Sequence, residues 1–246
     1  MSALLALKQR LAEVIAPEVA DGEPGLATGI GALDRVLVDG IPLGRLTEIV
    51  GPMGSGKTTL VRSAVAAAVA RGVGVAYIDA ERTLAPRDWV EVAEAGGDGF
   101  WVVRPPDGGR GAWSADVVLR SGGFGLVVLD GVPRLARAVA VRLTQLARQG
   151  GAALVAVGDE DVGWRASALG AALRLRVRAG SGGFVVIVEK GGHQTVEVQC
   201  GVRLARRLCT HPEVPDRRGV ARRSRGAGGT LPPSRRMGTP DYPPLG

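Results

Sequence analysis

Apolar residues recur at helical spacing from the start of the chain. Ala3, Leu4, Leu7, Leu11, Val14 and Ile15 predict an amphipathic helix over 3–15. A lone helix of that length is marginal in water, so its stripe needs cover from its own domain or from another chain. The stretch Pro17–Gly25 has no period and is rich in acids and turn residues, as a linker is. From Arg45 onward short apolar runs alternate with helical periods. Strands are predicted at Leu46–Val50, Val73–Ile78, Phe100–Val103, Leu126–Asp130, Ala152–Val157, Leu173–Arg178, Phe184–Glu189 and Thr195–Gln199. Helices are predicted at Lys57–Ala70, Arg87–Ala95, Ala112–Arg120, Pro133–Arg148 and Ala166–Ala171.

That alternation predicts an α/β fold: a mostly parallel central sheet flanked by helices, built from right-handed βαβ units. The last three strands are joined by short turns and predict an antiparallel C-terminal extension. Beyond about Thr210 neither period survives, and Arg, Gly, Pro and Ser dominate. Such a segment buries too little apolar surface to offset its ordering entropy, so a disordered tail is expected. The organisation read from the pattern is an N-terminal helix over 1–16, a linker over 17–25, a globular domain over 26–208 and a tail over 209–246.

Charge sharpens that division. Residues 1–200 carry 21 Lys and Arg against 21 Asp and Glu, while residues 201–246 carry ten Arg against three acids. The whole excess of +7 therefore sits on the tail. The longest apolar runs, such as Ala64–Ala70, fall far short of the roughly 20 residues that cross a bilayer. The first fifteen residues are interrupted by Lys8, Arg10 and Glu13 and do not read as a signal peptide. Two cysteines, Cys200 and Cys209, make neither a disulfide framework nor a tetrahedral metal site, and are expected to be reduced thiols. No membrane association and a cytoplasmic location are expected.

The strongest chemical signal is Gly51–Pro52–Met53–Gly54–Ser55–Gly56–Lys57–Thr58, which fits G-x-x-x-x-G-K-[ST] between a predicted strand and a predicted helix. Such a loop wraps backbone N–H groups around phosphate oxygens and adds the positive end of the helix dipole. The chain has 28 Arg and only three Lys, Lys8, Lys57 and Lys190. At Lys57 a compact ammonium on a flexible stem must reach the β- and γ-phosphates, a task for which guanidinium is not equivalent. Thr58 would ligate Mg²⁺ through its hydroxyl, and Thr59 lies close to the phosphates. Asp130, ending the apolar run Phe124–Asp130, reads as a turn cap or as the aspartate on the Mg²⁺ side. A preceding phosphate loop favours the metal role. Glu81, just past the strand after the loop, reads as an exposed acid or as the base that polarises the attacking water.

Thr28–Gly–Ile–Gly–Ala–Leu–Asp34, Leu43–Gly–Arg–Leu–Thr–Glu–Ile–Val–Gly51, the phosphate loop and Ala76–Tyr–Ile–Asp–Ala–Glu–Arg82 together resemble a RecA-type ATPase core, over about Leu26 to Cys200. The resemblance implies ATP and Mg²⁺ as ligands, with Glu81 as the catalytic glutamate and Asp130 on the Mg²⁺ side. It places Asp159 where the family senses the γ-phosphate, usually with glutamine. It places Lys190 where lysines meet the ATP of an adjacent subunit. Ala85 and Asp88 stand where RecA proteins carry the acid and tyrosine that contact adenine. Trp89 is left with two readings, a stacking surface for the base or a core residue. The long DNA-binding loop of RecA is reduced to Gly131–Val132–Pro133, and the second to the acidic stretch Asp159–Arg165.

A shortened RecA-type core with an N-terminal helix and a basic tail resembles the ImuA family. That resemblance implies an accessory ATPase of error-prone translesion synthesis in the bacterial DNA-damage (SOS) response. Its implied partners are an ImuB-like polymerase-related protein, an error-prone polymerase and RecA itself, together with sequence-independent DNA binding through the tail. Two other classes stand beside it. One is a degenerate RecA-type recombinase, disfavoured by the short loops. The other is a non-hydrolysing adaptor like the SulA cell-division inhibitors, disfavoured by the full Lys57, Thr58, Glu81 and Asp130 set.

Overall fold

The computed structural model describes residues 25–37, 39–131, 135–159, 170–192 and 196–201, all within the unit Met1–Thr210. The expected N-terminal helix, nearly all of the linker, the tail, Cys209 and both histidines lie outside the described residues.

The chain enters through α1 (Gly31–Leu37), a short helix that the apolar pattern did not signal. Its start is set by Asp34, whose Oδ1 accepts from the backbone N (2.7 Å) and hydroxyl (2.6 Å) of buried Thr28. Leu26 and Ile41 exchange backbone hydrogen bonds across this excursion, at 2.8 and 2.7 Å, and bring the chain to the sheet. Then follow β1 (Leu46–Gly51), α2 (Lys57–Ala70), β2 (Val75–Asp79), a 3₁₀ turn (Pro86–Trp89) leading into α3 (Val90–Gly96), β3 (Phe100–Val103) and α4 (Gly111–Ser121). The described chain closes with β4 (Leu126–Asp130), α5 (Arg137–Gln149), β5 (Ala153–Asp159), β6 (Leu173–Gly180), β7 (Gly183–Lys190) and β8 (Val196–Gly201).

Among the described residues the sheet has eight strands in the order β3-β2-β4-β5-β1-β6-β7-β8. Strands β3 through β6 run parallel, and the antiparallel part begins at the β6–β7 pair. The first of the three terminal strands thus closes the parallel sheet beside β1 before the direction reverses. Strands β1 and β2 are buried along their whole length because helices cover both faces, which is why they read as unbroken apolar runs. Strands β6 and β7 alternate buried and half-buried positions, as an extension covered on one face does. One core layer holds Leu33, Ile49, Leu60, Val65, Tyr77 and Val128 on the α1 and α2 side. The other holds Leu46, Ile78, Ala115, Leu129, Leu143 and Leu154 under α4 and α5.

Three of the boundaries that differ from the sequence reading do so for a local reason. Val73 is not strand: its N–H returns to Ala68 O (3.0 Å) and that of Gly72 to Val69 O (2.9 Å), a Schellman closure of α2. The helix expected from Pro133 begins at Arg137. Ala136 is extended at its N-cap, and Leu135 is spent as a buried anchor on the α5 side. The helix expected over Ala166–Ala171 falls mostly outside the described residues, and Ala171 itself is buried non-helical chain leading into β6.

Candidate nucleotide site

The site is built where the parallel strands end. β1 delivers the chain to Gly51, and the loop over 52–56 turns it into α2. Gly56 carries φ +103°, and a Cβ there would stand 2.8 Å from the ring of Phe184 on β7, so the turn into the helix needs glycine twice over. Ser55 donates its backbone N–H to Pro52 O at 3.2 Å, and its buried hydroxyl finds no partner among the described residues. Lys57 folds its ammonium over the loop and donates to the carbonyls of Gly51 and Pro52, the latter at 2.8 Å.

Around that loop lies an open cleft of about 430 Å³ lined by Met53, Gly54, Gly56, Lys57, Thr58 and Thr59 from the loop and α2. Glu81 and Thr83 line it after β2, Asp130 and Gly131 after β4, and Gly158 and Asp159 at the end of β5. Four of the residues singled out from sequence as chemical, Lys57, Thr58, Glu81 and Asp130, therefore meet in one place, and Asp159 joins them. Gly51, Pro52 and Ser55 form the stem of the loop. Lys190 is not part of the cleft: it is exposed on the antiparallel extension, in register with Arg174.

Asp130 accepts a hydrogen bond from the hydroxyl of Tyr77 on neighbouring β2. Burial pushes Asp130 above the usual carboxylate range, and the charges of Asp79 and Glu81 add to the rise. The Tyr77 hydrogen bond and Lys57 oppose it. Burial and the nearby Asp130 charge push the Tyr77 hydroxyl well above its ordinary value, so it stays a donor.

Glu81 sits on a tied loop. Fully buried Asp79 accepts from Thr83 N (2.9 Å), Leu84 N (3.3 Å) and Arg104 Nε (2.9 Å), and Arg104 Nη2 donates to Leu84 O at 2.6 Å. Arg82, in the left-handed region at φ +58°, reaches Pro105 O at 3.2 Å. Gly131, at φ +78°, lies against the Glu81 stem: a Cβ there would stand 2.8 Å from Glu81 Cγ. Trp89 is core. Only 2% exposed, it meets Tyr77 edge-on at 5.0 Å and stacks on Phe100 at 5.5 Å, which removes it as a surface for a base.

Tyr77, Asp79 and Arg104, which support the site, and Thr83, Gly131, Val157 and Gly158, which line it, were not assigned to it by sequence reading. Only Tyr77 carried a signal, a hydroxyl in an otherwise apolar strand. The donor set fits a magnesium nucleotide: one cation, three threonines and three carboxylates line a cleft behind a glycine loop.

A mostly parallel sheet with a glycine-rich loop after β1 and acids after β2 and β4 defines an α/β fold of the RecA type. The RecA N-terminal domain pattern matches residues 18–182, and the chain belongs to that family. It is 38% identical over 150 residues to Protein RecA of Mycobacterium tuberculosis (strain ATCC 25618 / H37Rv), covering 61% of this chain and 17% of that protein. It is 36% identical over 166 residues to Protein RecA of Mycolicibacterium gilvum (strain PYR-GCK), covering 67% of this chain and 43% of that one. The chain thus spans less than half the length of these relatives. Its fold is similar to the crystal structure of the RadB recombinase, with a TM-score of 0.56 and 23% identity over 70% of this chain and 94% of that one. Among the described residues no helix is long and apolar enough to cross a membrane.

Proposed function

We propose that this chain binds and hydrolyses ATP with Mg²⁺ and serves as an accessory ATPase of error-prone translesion synthesis in the bacterial DNA-damage response. The observation that carries the ATPase part is the convergence of Lys57, Thr58, Glu81 and Asp130 on one cleft. Lys57 turns from the loop carbonyls to the β- and γ-phosphates, and the loop N–H groups hold the phosphate oxygens. Thr58 and Asp130 would hold Mg²⁺, which when bound neutralises charge across the β- and γ-oxygens. Glu81 orients the attacking water and takes its proton. Asp159 lines the same cleft and is the candidate for sensing the γ-phosphate. Lys190, outside the cleft, is the candidate for contact with the nucleotide of an adjacent subunit.

The accessory role rests on what lies between β4 and α5. Only six residues, 131–136, join Asp130 to Arg137, too few for a DNA-binding loop of the RecA kind. DNA binding then falls to residues 201–246 with their ten Arg, as sequence-independent and salt-sensitive phosphate contacts. The protein partners are the ImuB-like polymerase-related protein, the error-prone polymerase and RecA.

The test has three arms: single-turnover ATP hydrolysis, filament formation on single-stranded DNA with ATP, and pull-down of the ImuB-like protein by full-length chain and by chain truncated after Leu208. Hydrolysis without filaments, with partner or DNA binding weakened by truncation, is expected. ATP-dependent filaments would establish a recombinase instead, and no hydrolysis would establish an adaptor.

A further inference from the structure

Tyr77 stands apart from the other groups at the cleft because it is fully buried and does not touch it. Its ring is wedged edge-on against Trp89 at 5.0 Å, and Trp89 is stacked on Phe100 at 5.5 Å with an interplanar angle of 13°. These three rings come from β2, the turn before α3, and β3. They leave the phenol no freedom to swing, so the position of its hydroxyl is set by core packing.

That hydroxyl donates to Oδ2 of Asp130. In the sheet Tyr77 pairs in register with Val128, and Asp130 lies two residues further along β4 on the same face. The hydrogen bond is therefore a diagonal one between neighbouring strands, within reach of a long aromatic side chain. Asp130 also has Asp79 directly beside it in register and Glu81 on the adjoining loop, two carboxylates that repel it. An aspartate in that company needs a donor to hold one rotamer. With Oδ2 engaged by Tyr77, Oδ1 and the remaining lone pair of Oδ2 are what the cleft receives.

We infer that Tyr77 is a positioning residue for the magnesium site, a buried phenol that fixes the carboxylate of Asp130 in the orientation that receives the cation. This rests on the proposed nucleotide site and goes beyond it. Outer partners of metal-binding carboxylates commonly change metal affinity by about tenfold or more when removed. Tyr77→Phe keeps the ring, its contacts with Trp89 and its volume, and removes only the hydroxyl.

The experiment is Mg²⁺ titration of fluorescent ADP binding in wild type and Tyr77→Phe, beside ADP binding in EDTA. Tyr77→Phe is expected to need about tenfold more Mg²⁺ for half-maximal binding while its EDTA affinity stays that of wild type. Equal Mg²⁺ dependence in the two proteins overturns the inference, and so does a loss of affinity that is the same with and without Mg²⁺. A wild type that binds no ADP under either condition overturns the underlying site assignment instead. Should Tyr77→Phe fail to fold, fluorotyrosine labelling of a Tyr242→Phe chain leaves Tyr77 as the single ¹⁹F reporter, since the chain has two tyrosines. Its resonance is expected to shift when Mg²⁺ joins the ADP complex, and an unmoved resonance overturns the inference.

Discussion

Arg104 Nε lies 2.9 Å from Oδ2 of Asp79, and this pair ties the end of β3 to the loop that carries Glu81. Asp79 is buried and gathers two backbone N–H groups of that loop, while Arg104 holds its last carbonyl. Glu81, the proposed base, is thus held on its loop by two residues that do not line the cleft. Orientation of that kind matters because a small displacement of a catalytic group costs far more in rate than in binding.

Arg104→Met is therefore expected to lower kcat about tenfold with KM for ATP nearly unchanged. It also leaves a buried carboxylate with only its backbone donors. A stability loss of about 1–3 kcal/mol follows, discounted because the arginine is 38% exposed. Steady-state kinetics and urea unfolding measure the two effects. A KM that rises while kcat holds would place Arg104 in binding rather than in orientation.

Gly131→Ala tests the same carboxylate from the other side. The new methyl meets Glu81 Cγ at 2.8 Å and Glu81 Cβ at 3.0 Å, on a backbone at φ +78° where an L side chain costs about 1–2 kcal/mol. Glu81 has to move away, so single-turnover hydrolysis is expected to fall while ADP binding persists. Hydrolysis at the wild-type rate would show that Glu81 tolerates displacement and is not the base.

Lys57→Ala and Glu81→Gln separate binding from chemistry. The first removes the cation proposed to meet the β- and γ-phosphates, and tight ATP binding is expected to be lost. The second keeps shape and removes the proposed base, so binding is expected to stay and hydrolysis to drop by about 10²- to 10⁴-fold. Equilibrium binding of a labelled ATP analogue, with hydrolysis followed as phosphate release, checks both. ATP affinity unchanged in Lys57→Ala would sink the assignment of the loop.

These variants also mark where the sequence was readable. The phosphate loop, the strand before it and the helix after it follow from spacing alone, because glycine, lysine and threonine at those offsets answer one geometric demand. Asp130 and Glu81 were legible as acids at strand ends, the place where parallel sheets put their chemistry. The Asp79–Arg104 tie was not, since it joins residues 25 positions apart through a β2–β3 pairing that no local pattern encodes. Trp89 was ambiguous for a related reason. A tryptophan after a proline turn looks the same in sequence whether it faces a base or a core, and only its neighbours Tyr77 and Phe100 decide. Helix α1 escaped notice because its seven residues are too few to display a period, and its start depends on the side chain of Asp34 reaching back to Thr28.

Glu48 allows a prediction about pH. It lies in the middle of β1, three residues before the phosphate loop, fully buried, and both of its carboxylate oxygens are without a hydrogen-bond partner among the described residues. Its neighbours are Ala156 on β5 and Arg174 on β6, but the Arg174 Nε is already 2.8 Å from Glu189. Burial pushes the Glu48 carboxyl from its ordinary 4.5 up to about 7, against the opposing charges of Arg174 and Lys190 and with a small further push from Glu189. The folded chain therefore holds this proton more tightly than the unfolded chain does. The stability so gained is fully present below pH 4.5 and is lost as pH rises through about 7. Glu48→Gln has no proton to lose, so it should match wild type near pH 4.5 and exceed it above pH 7, by about 3 kcal/mol at most. Urea unfolding of both proteins at pH 5 and pH 8 measures the gap. A gap of the same size at both pH values would mean that Glu48 titrates alike in the folded and unfolded chains, contrary to what its buried and unpartnered position requires.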